Sequence, residues 1–152
     1  MRISDELKPA AVQTNLSGSS VEEIISELSE LVADDSANLD SNHLRESLLR
    51  RERLLSTAMG AGIAFPHCTS DRISAPRFAL GISRSGVEAD APDNKPVNIF
   101  FVVISPESDP NVHLDALAAA ARIFINPASR ESVLAAESAE EAISVLAEAE
   151  GS

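Results

Sequence analysis

Apolar and polar positions alternate along this chain with two different periods. After Ser20, the segment VEEIISELSELV sets Val21, Ile24, Ile25, Leu28, Leu31 and Val32 at helical spacing, so one face is apolar. Ser20 and Glu23 form a capping box that starts this helix. The polar stretch ADDSANLDS ends it, and Asp40 or Ser41 caps a second helix running to about Leu55. The inward stripe of that helix is Leu44, Leu48, position 51 and Leu55, and position 51 is an arginine. TAMGAG follows, with glycines of the kind that terminate helices.

The period then shortens. IAF is a brief strand bounded by Gly62 and Pro66, and RFALGIS alternates Phe78, Leu80 and Ile82 with smaller residues, as a half-buried strand does. VNIFFVVI, residues 97–104, is apolar on both faces apart from Asn98, the pattern of a central strand covered on both sides. GVEADAPDNKP and SPESDPN are rich in turn residues. From Val112 a helical stripe of Leu114, Leu117, Ala118, Ala121, Phe124 and Ile125 predicts a helix with that face inward. Asn126-Pro127 reads as an N-cap followed by proline at the first helical position. Ser138 and Glu141 box a last helix, with Ile143 and Leu146 facing in.

Residues 1–18, leading into LSGSS at 16–20, are expected as an extended, partly disordered arm or short edge element, with the domain proper at 19–150. The fold class is therefore α/β: a single-domain sandwich whose central mixed β-sheet is flanked by helices on both faces.

Composition narrows the function. A chain of 152 residues fits one domain. With no Trp or Tyr and five Phe, its core must be largely aliphatic. Twenty-four acidic against twelve basic residues give a net charge of −12, which argues against a nucleic-acid partner. No apolar run is long enough for membrane insertion, and no secretory signal is visible at the start. The one cysteine, Cys68, excludes an intramolecular disulfide and fits a cytoplasmic location.

Two of the three histidines fall at junctions. His67 follows the IAF strand, and His113 lies in the first turn of the helix after the most apolar strand, where free N–H groups favour an anion. Ligand sites in open α/β sheets gather at the carboxyl ends of strands. Either histidine alone reads more readily as a cap or a surface group than as a functional one; the pair shifts the balance towards a site. His43 lies on a polar helix start and is read as solvated. Arg51, on an inward stripe, must snorkel or be paired; facing the same cleft, it would offer a planar fork of donors to a phosphate. Thr57 could add a hydroxyl there.

RRERLLSTAMGAGIAFPH followed by HLDALAAAARIF resembles the enzyme IIA domain of the fructose–mannitol class of the bacterial phosphotransferase system, which includes nitrogen-regulatory IIA proteins. Arg51-Glu52, Ser56-Thr57, Gly60, Gly62, Pro66-His67 and His113-Leu114 with Leu117 carry the resemblance, which spans about 20–147. It implies that His67 is phosphorylated by the histidine phosphocarrier protein and passes the group to a IIB domain or a regulated protein. It also implies that His113 stabilises the phosphate by hydrogen bonding and that Arg51 is the phosphate-side cation. No cofactor is implied. Cys68 stands where the family usually has glycine, and a left-handed backbone there would strain a cysteine. GVEADAPDNKP stands where many members carry a Trp-containing segment.

With no IIB or IIC segment attached, a regulatory output of the nitrogen type is expected ahead of a sugar-transport subunit serving separate IIB and IIC chains. A binding module without phosphotransfer is a further alternative. Metal or hydrolytic chemistry from His67, His113 and Cys68 ranks last, because two histidines without a third ligand make a poor zinc site.

Overall fold

A computed structural model describes residues 1–151. The element order is α1 Ile3–Glu6, β1 Val12–Gln13, α2 Val21–Val32, α3 Ser41–Leu54, β2 Ala58–Gly60, β3 Ile63–Ala64, β4 His67–Ser70, β5 Arg77–Val87, β6 Val97–Pro106, α4 Pro110–Phe124, α5 Pro127–Ala135 and α6 Ala139–Gly151. The strands form one mixed sheet in the order β1-β5-β6-β3-β2, with β4 also beside β6. β5 and β6 are antiparallel, whereas β1 lies parallel to β5, and β3 and β4 lie parallel to β6.

β6 is the axis of the molecule. Val97 and Ile99 to Ile104 are at most 1% exposed, so both faces are covered, as the unbroken apolar run requires. The polar exception, Asn98, is half-buried and donates its side-chain amide to the Ser83 carbonyl at 2.9 Å. α2 and α3 pack on each other over one face, and α4 packs on β6 with α5, α6 and α1 grouped beside it. The α/β sandwich with a mixed central sheet is thus observed.

Four helix starts form as their sequences direct, among them α3, where Asp40 accepts from the His43 N–H at 3.1 Å. Ser20 Oγ accepts from the Glu23 N–H, Asn126 Oδ1 from the Ala128 N–H and Ser138 Oγ from the Glu141 N–H.

Several expectations are corrected. The first eighteen residues supply the expected short edge element, β1, but the stretch before it is no loose arm and folds into the body. They form α1, a 3-10 turn at Pro9–Ala11 and the edge strand β1, and they bury Ile3, Leu7, Ala11 and Leu16. Glu150, at the far end of the chain, accepts from the Ile3 and Ser4 N–H groups at 2.5 and 2.9 Å, capping a helix too short to stand alone. TAMGAG is not a helix end. α3 stops at Leu54, and Ala58–Gly60 is β2, hairpinned to β3 through left-handed Gly60, Ala61 and Gly62 at φ of 90°, 57° and 79°. Leu55, extended at φ −168°, has left the helix and is exposed, so the periodicity no longer governs it; Leu49 takes the buried place.

α4 is rotated from its expected setting. The buried stripe is Ala116, Ala119, Ala120, Ile123 and Phe124, while Leu114 and Ile125 are 64% and 78% exposed. Alanines on every side of this helix flatten its amphipathic signal. Small residues against β6 let the backbone come close, and the two large apolar side chains turn outward.

Candidate active site

The site grows from an interruption in the sheet. β3 and β4 occupy one lane beside β6 with an unchanged offset, Ile63 against Ile99 and His67 against Val103, broken only at Phe65-Pro66. β2 covers the outer side of that lane only as far as Phe65, whose N–H donates to the Thr57 carbonyl at 3.2 Å. Past that point β4 pairs with β6 alone among the described strands. An open cavity of about 360 Å³ lies at the end of this lane. Ser47, Arg50, Arg51 and Leu54 line it from α3, His67, Cys68 and Thr69 from β4, and His113 from α4.

His67 therefore follows β3, as expected, and also begins the next strand, β4. Its Nδ1 lies 2.8 Å from the Phe65 carbonyl oxygen. A carbonyl can only accept, so Nδ1 carries the hydrogen, and in a neutral ring Nε2 keeps its lone pair. The Phe65 ring packs edge-on against Phe124 of α4, centroids 6.0 Å apart, which steadies the residue that holds the imidazole.

His113 stands in the first turn of α4, which Asp109 caps by accepting from the Val112 N–H at 3.3 Å. The His113 Nδ1 is 2.7 Å from the hydroxyl of Ser105, near the end of β6. The two imidazole centroids are 5.4 Å apart with the planes tilted by 48°. Arg51, in the last turn of α3, donates through Nη1 to the Leu55 carbonyl at 2.7 Å. One of its five N–H donors is used, and the rest of the guanidinium stays available at the cavity wall.

His67, His113 and Arg51 are thus brought together as expected from the sequence. Thr57 is not among the lining residues. It is buried, its hydroxyl donates to Glu52 Oε1 and its N–H to Oε2, both at 2.7 Å. Glu52 is a group that the sequence reading left without a role, and it fixes the turn from α3 into β2. Ser105, Ser47, Arg50 and Thr69 were also missed.

Cys68 sits in regular β4 against Ile104, and its backbone is not left-handed, so cysteine is accommodated there without strain. Burial pushes its thiol up to about 12, which leaves it protonated and a poor nucleophile. Among the described residues no three His, Cys, Asp or Glu side chains converge as metal ligands. No described helix is long and apolar enough to cross a membrane. A larger cavity of about 480 Å³, lined by Lys8, Asp34 and Arg77 among others, lies apart from the histidines. There Asp34 and Arg77 close on each other at 2.6 Å.

Burial holds the His67 imidazole below its ordinary 6.5, and the Arg51 charge pushes the same way, against the Phe65 hydrogen bond and Glu52. Burial, then the charge of His67, lowers His113 as well. Both rings are therefore neutral at pH 7. Unfolding returns them towards 6.5, so the unfolded chain binds more protons in the window just below that value. Their contribution to stability is present above it and is lost as the pH falls through the depressed folded values. An NMR titration of the ring protons should give both midpoints below 6.5; a midpoint above it for His67 contradicts this electrostatic picture.

The sequence matches the family described as "Phosphoenolpyruvate-dependent sugar phosphotransferase system, EIIA 2" over residues 6–149. A fructose-specific EIIABC component from Bacillus subtilis is 30% identical over 96% of this chain, which spans only 23% of that longer protein. A fructose-specific EIIA component from Haloferax volcanii is 35% identical over 80% of this chain and 79% of its own length. The crystal structure of nitrogen regulatory protein IIA-Ntr from Neisseria meningitidis superimposes with a TM-score of 0.88 at 30% identity. That alignment covers 95% of this chain and 98% of the other.

Proposed function

This chain belongs to the EIIA 2 family of the phosphoenolpyruvate-dependent sugar phosphotransferase system, and on that premise we propose that it is a cytoplasmic phosphoryl carrier whose acceptor is Nε2 of His67. The observation that carries the reading is the 2.8 Å contact between Nδ1 and the Phe65 carbonyl, which leaves Nε2 as the bare nucleophile of a neutral ring.

The lone pair of Nε2 attacks the phosphorus of a phosphohistidine on the histidine phosphocarrier protein. The donor's P–N bond breaks as the new one forms. His67 then carries both the phosphoryl group and its Nδ1 hydrogen, so the ring gains positive charge. The Phe65 carbonyl, accepting from Nδ1–H, stabilises that charge and keeps the ring a good leaving group for the onward transfer. Charge on the transferring oxygens needs donors in place more than covalent help. His113 and the free part of Arg51 are positioned to supply them. Two or three donors suit a carrier, because tighter binding of the phosphoryl group would stop its release.

The onward acceptor is a IIB domain or a regulated protein. The relatives divide between fructose-specific and nitrogen-regulatory names, and a phosphoryl relay through His67 is compatible with either output. Incubation with phosphoenolpyruvate, enzyme I and the histidine phosphocarrier protein should place one acid-labile phosphate on the chain. Absence of label under those conditions would favour a binding module without phosphotransfer.

Two exposed leucines support a protein as the phosphoryl partner. Leu54 lines the cavity at 81% exposure, and Leu114 follows His113 at 64% exposure. Large apolar side chains turned to solvent beside a polar site are the composition of a docking surface. Leu114→Asp should lower kcat/KM for the phosphorylated donor protein by about tenfold, the scale of the minority of interface residues that cost more than about 1 kcal/mol. Its circular dichroism and melting temperature should stay those of the parent. Unchanged transfer kinetics would remove Leu114 from the docking surface.

A further inference from the structure

The hydroxyl of Ser105 is fully buried, and its one hydrogen-bond partner among the described residues is Nδ1 of His113 at 2.7 Å. Two arrangements satisfy that distance. If Nδ1–H donates to the serine oxygen, the serine hydrogen is left without an acceptor in a dry site, at a cost of about 1–3 kcal/mol. If the serine O–H donates to a bare Nδ1, both groups are satisfied, and the ring hydrogen must then reside on Nε2. A neutral imidazole has only one N–H, so the choice decides what its other nitrogen can do.

From this geometry we infer that Ser105 is a positioning residue that fixes His113 as the Nε2–H tautomer, a standing hydrogen-bond donor towards the cavity. The inference deepens the phosphoryl-carrier reading and rests on it for its function. The two histidines are then held in opposite tautomers by neighbours of opposite type. The Phe65 carbonyl accepts and leaves His67 Nε2 bare; the Ser105 hydroxyl donates and leaves His113 Nε2 protonated. One ring becomes the nucleophile and the other the donor to the transferring phosphoryl oxygens, although their chemistry and surroundings are otherwise similar. Register makes the arrangement possible. Ser105 pairs with Thr69 and Val103 with His67, so Ser105 lies two positions beyond the neighbour of His67 and on the same face of the sheet. With α4 starting just past β6, His113 is set directly against it.

The test has two arms. In the first, ¹⁵N chemical shifts of His113 are measured in the unphosphorylated wild-type protein at neutral pH. A bare Nδ1 and a protonated Nε2 are expected, and a protonated Nδ1 would overturn the assignment. This arm needs no phosphoryl donor, so its outcome is independent of whether His67 is an acceptor at all. In the second, Ser105→Ala is followed by single-turnover phosphorylation. The rate should fall by about tenfold or more, as happens when the residue that orients a catalytic histidine is lost, and the His113 shifts should move towards a tautomeric mixture. Ser105→Cys, which keeps a weak donor, should fall between the two. A folded Ser105→Ala protein with unchanged rate and shifts would sink the proposal. If that variant does not fold, the wild-type spectrum decides.

Discussion

His67→Ala should take up no acid-labile phosphate while keeping the parent's fold. The imidazole is half-buried at the cavity wall, and its one recorded hydrogen bond is to the Phe65 carbonyl, at the mouth of an open site. Removing it therefore exposes a carbonyl that water can reach, and leaves no void in the packed interior. A stability loss of about 1 kcal/mol is the scale expected for one such bond. The chemical loss is total, because no other side chain in the cavity can replace it. The Cys68 thiol is pushed up to about 12 and stays protonated. His113, the remaining imidazole, has its Nδ1 engaged by Ser105 and, as the Nε2–H tautomer, offers the cavity a hydrogen and no bare nitrogen. Phosphate label surviving in His67→Ala, with hydroxylamine or acid lability intact, would show that the acceptor lies elsewhere.

His113→Ala should retain phosphorylation on His67 but slow it by about 10²- to 10³-fold, the loss typical of one donor aimed at developing charge. The rings are 5.4 Å apart, so a group bonded to His67 Nε2 comes within reach of the facing imidazole. The variant also removes a ring that packs against that of His67. The two effects separate in the kinetics: a lost donor lowers the single-turnover rate at saturating phosphorylated donor protein, whereas altered docking raises the KM. A rate within threefold of the parent would mean that Arg51 carries the charge stabilisation without help.

The general form of this fold could be read from the chain because a few segments admit one interpretation. VNIFFVVI has no polar face, so it had to be central, and Ser20–Glu23, Asn126-Pro127 and Ser138–Glu141 announce helix starts through backbone chemistry that is local. Where the deciding contact is distant, the letters were silent. Ile3 and Leu7 look like strays in a polar arm until Glu150 and the sheet are brought to them. The stripe on α4 could not be oriented from a run of alanines, because alanine is accepted both in the core and in water; of the two large apolar residues turned outward, Leu114 adjoins the site and Ile125 lies at the opposite end of the helix.

The same distinction holds for the candidate site. His67, His113 and Arg51 stood out as polar groups at places where apolar ones were due, and their residue types suit phosphate chemistry. Thr57, a hydroxyl expected at the phosphate site, is turned to Glu52 instead, and nothing local reveals that Glu52 takes both its N–H and its hydroxyl. Ser105 was invisible for a different reason. It reads as the first letter of a loop, and only the length of β6 and its pairing with β4 put it under His113. What the sequence hides, then, is less the reacting groups than the residues that set their protonation.

The central claim is that the fold presents Nε2 of His67, and not Nδ1, to the incoming phosphoryl group. Phosphorylating a ¹⁵N-histidine-labelled sample and reading the phosphorus–nitrogen coupling identifies the bonded atom. The coupling should appear on Nε2 of His67, with Nδ1 still protonated; coupling to Nδ1, or to a nitrogen of His113, would contradict the account.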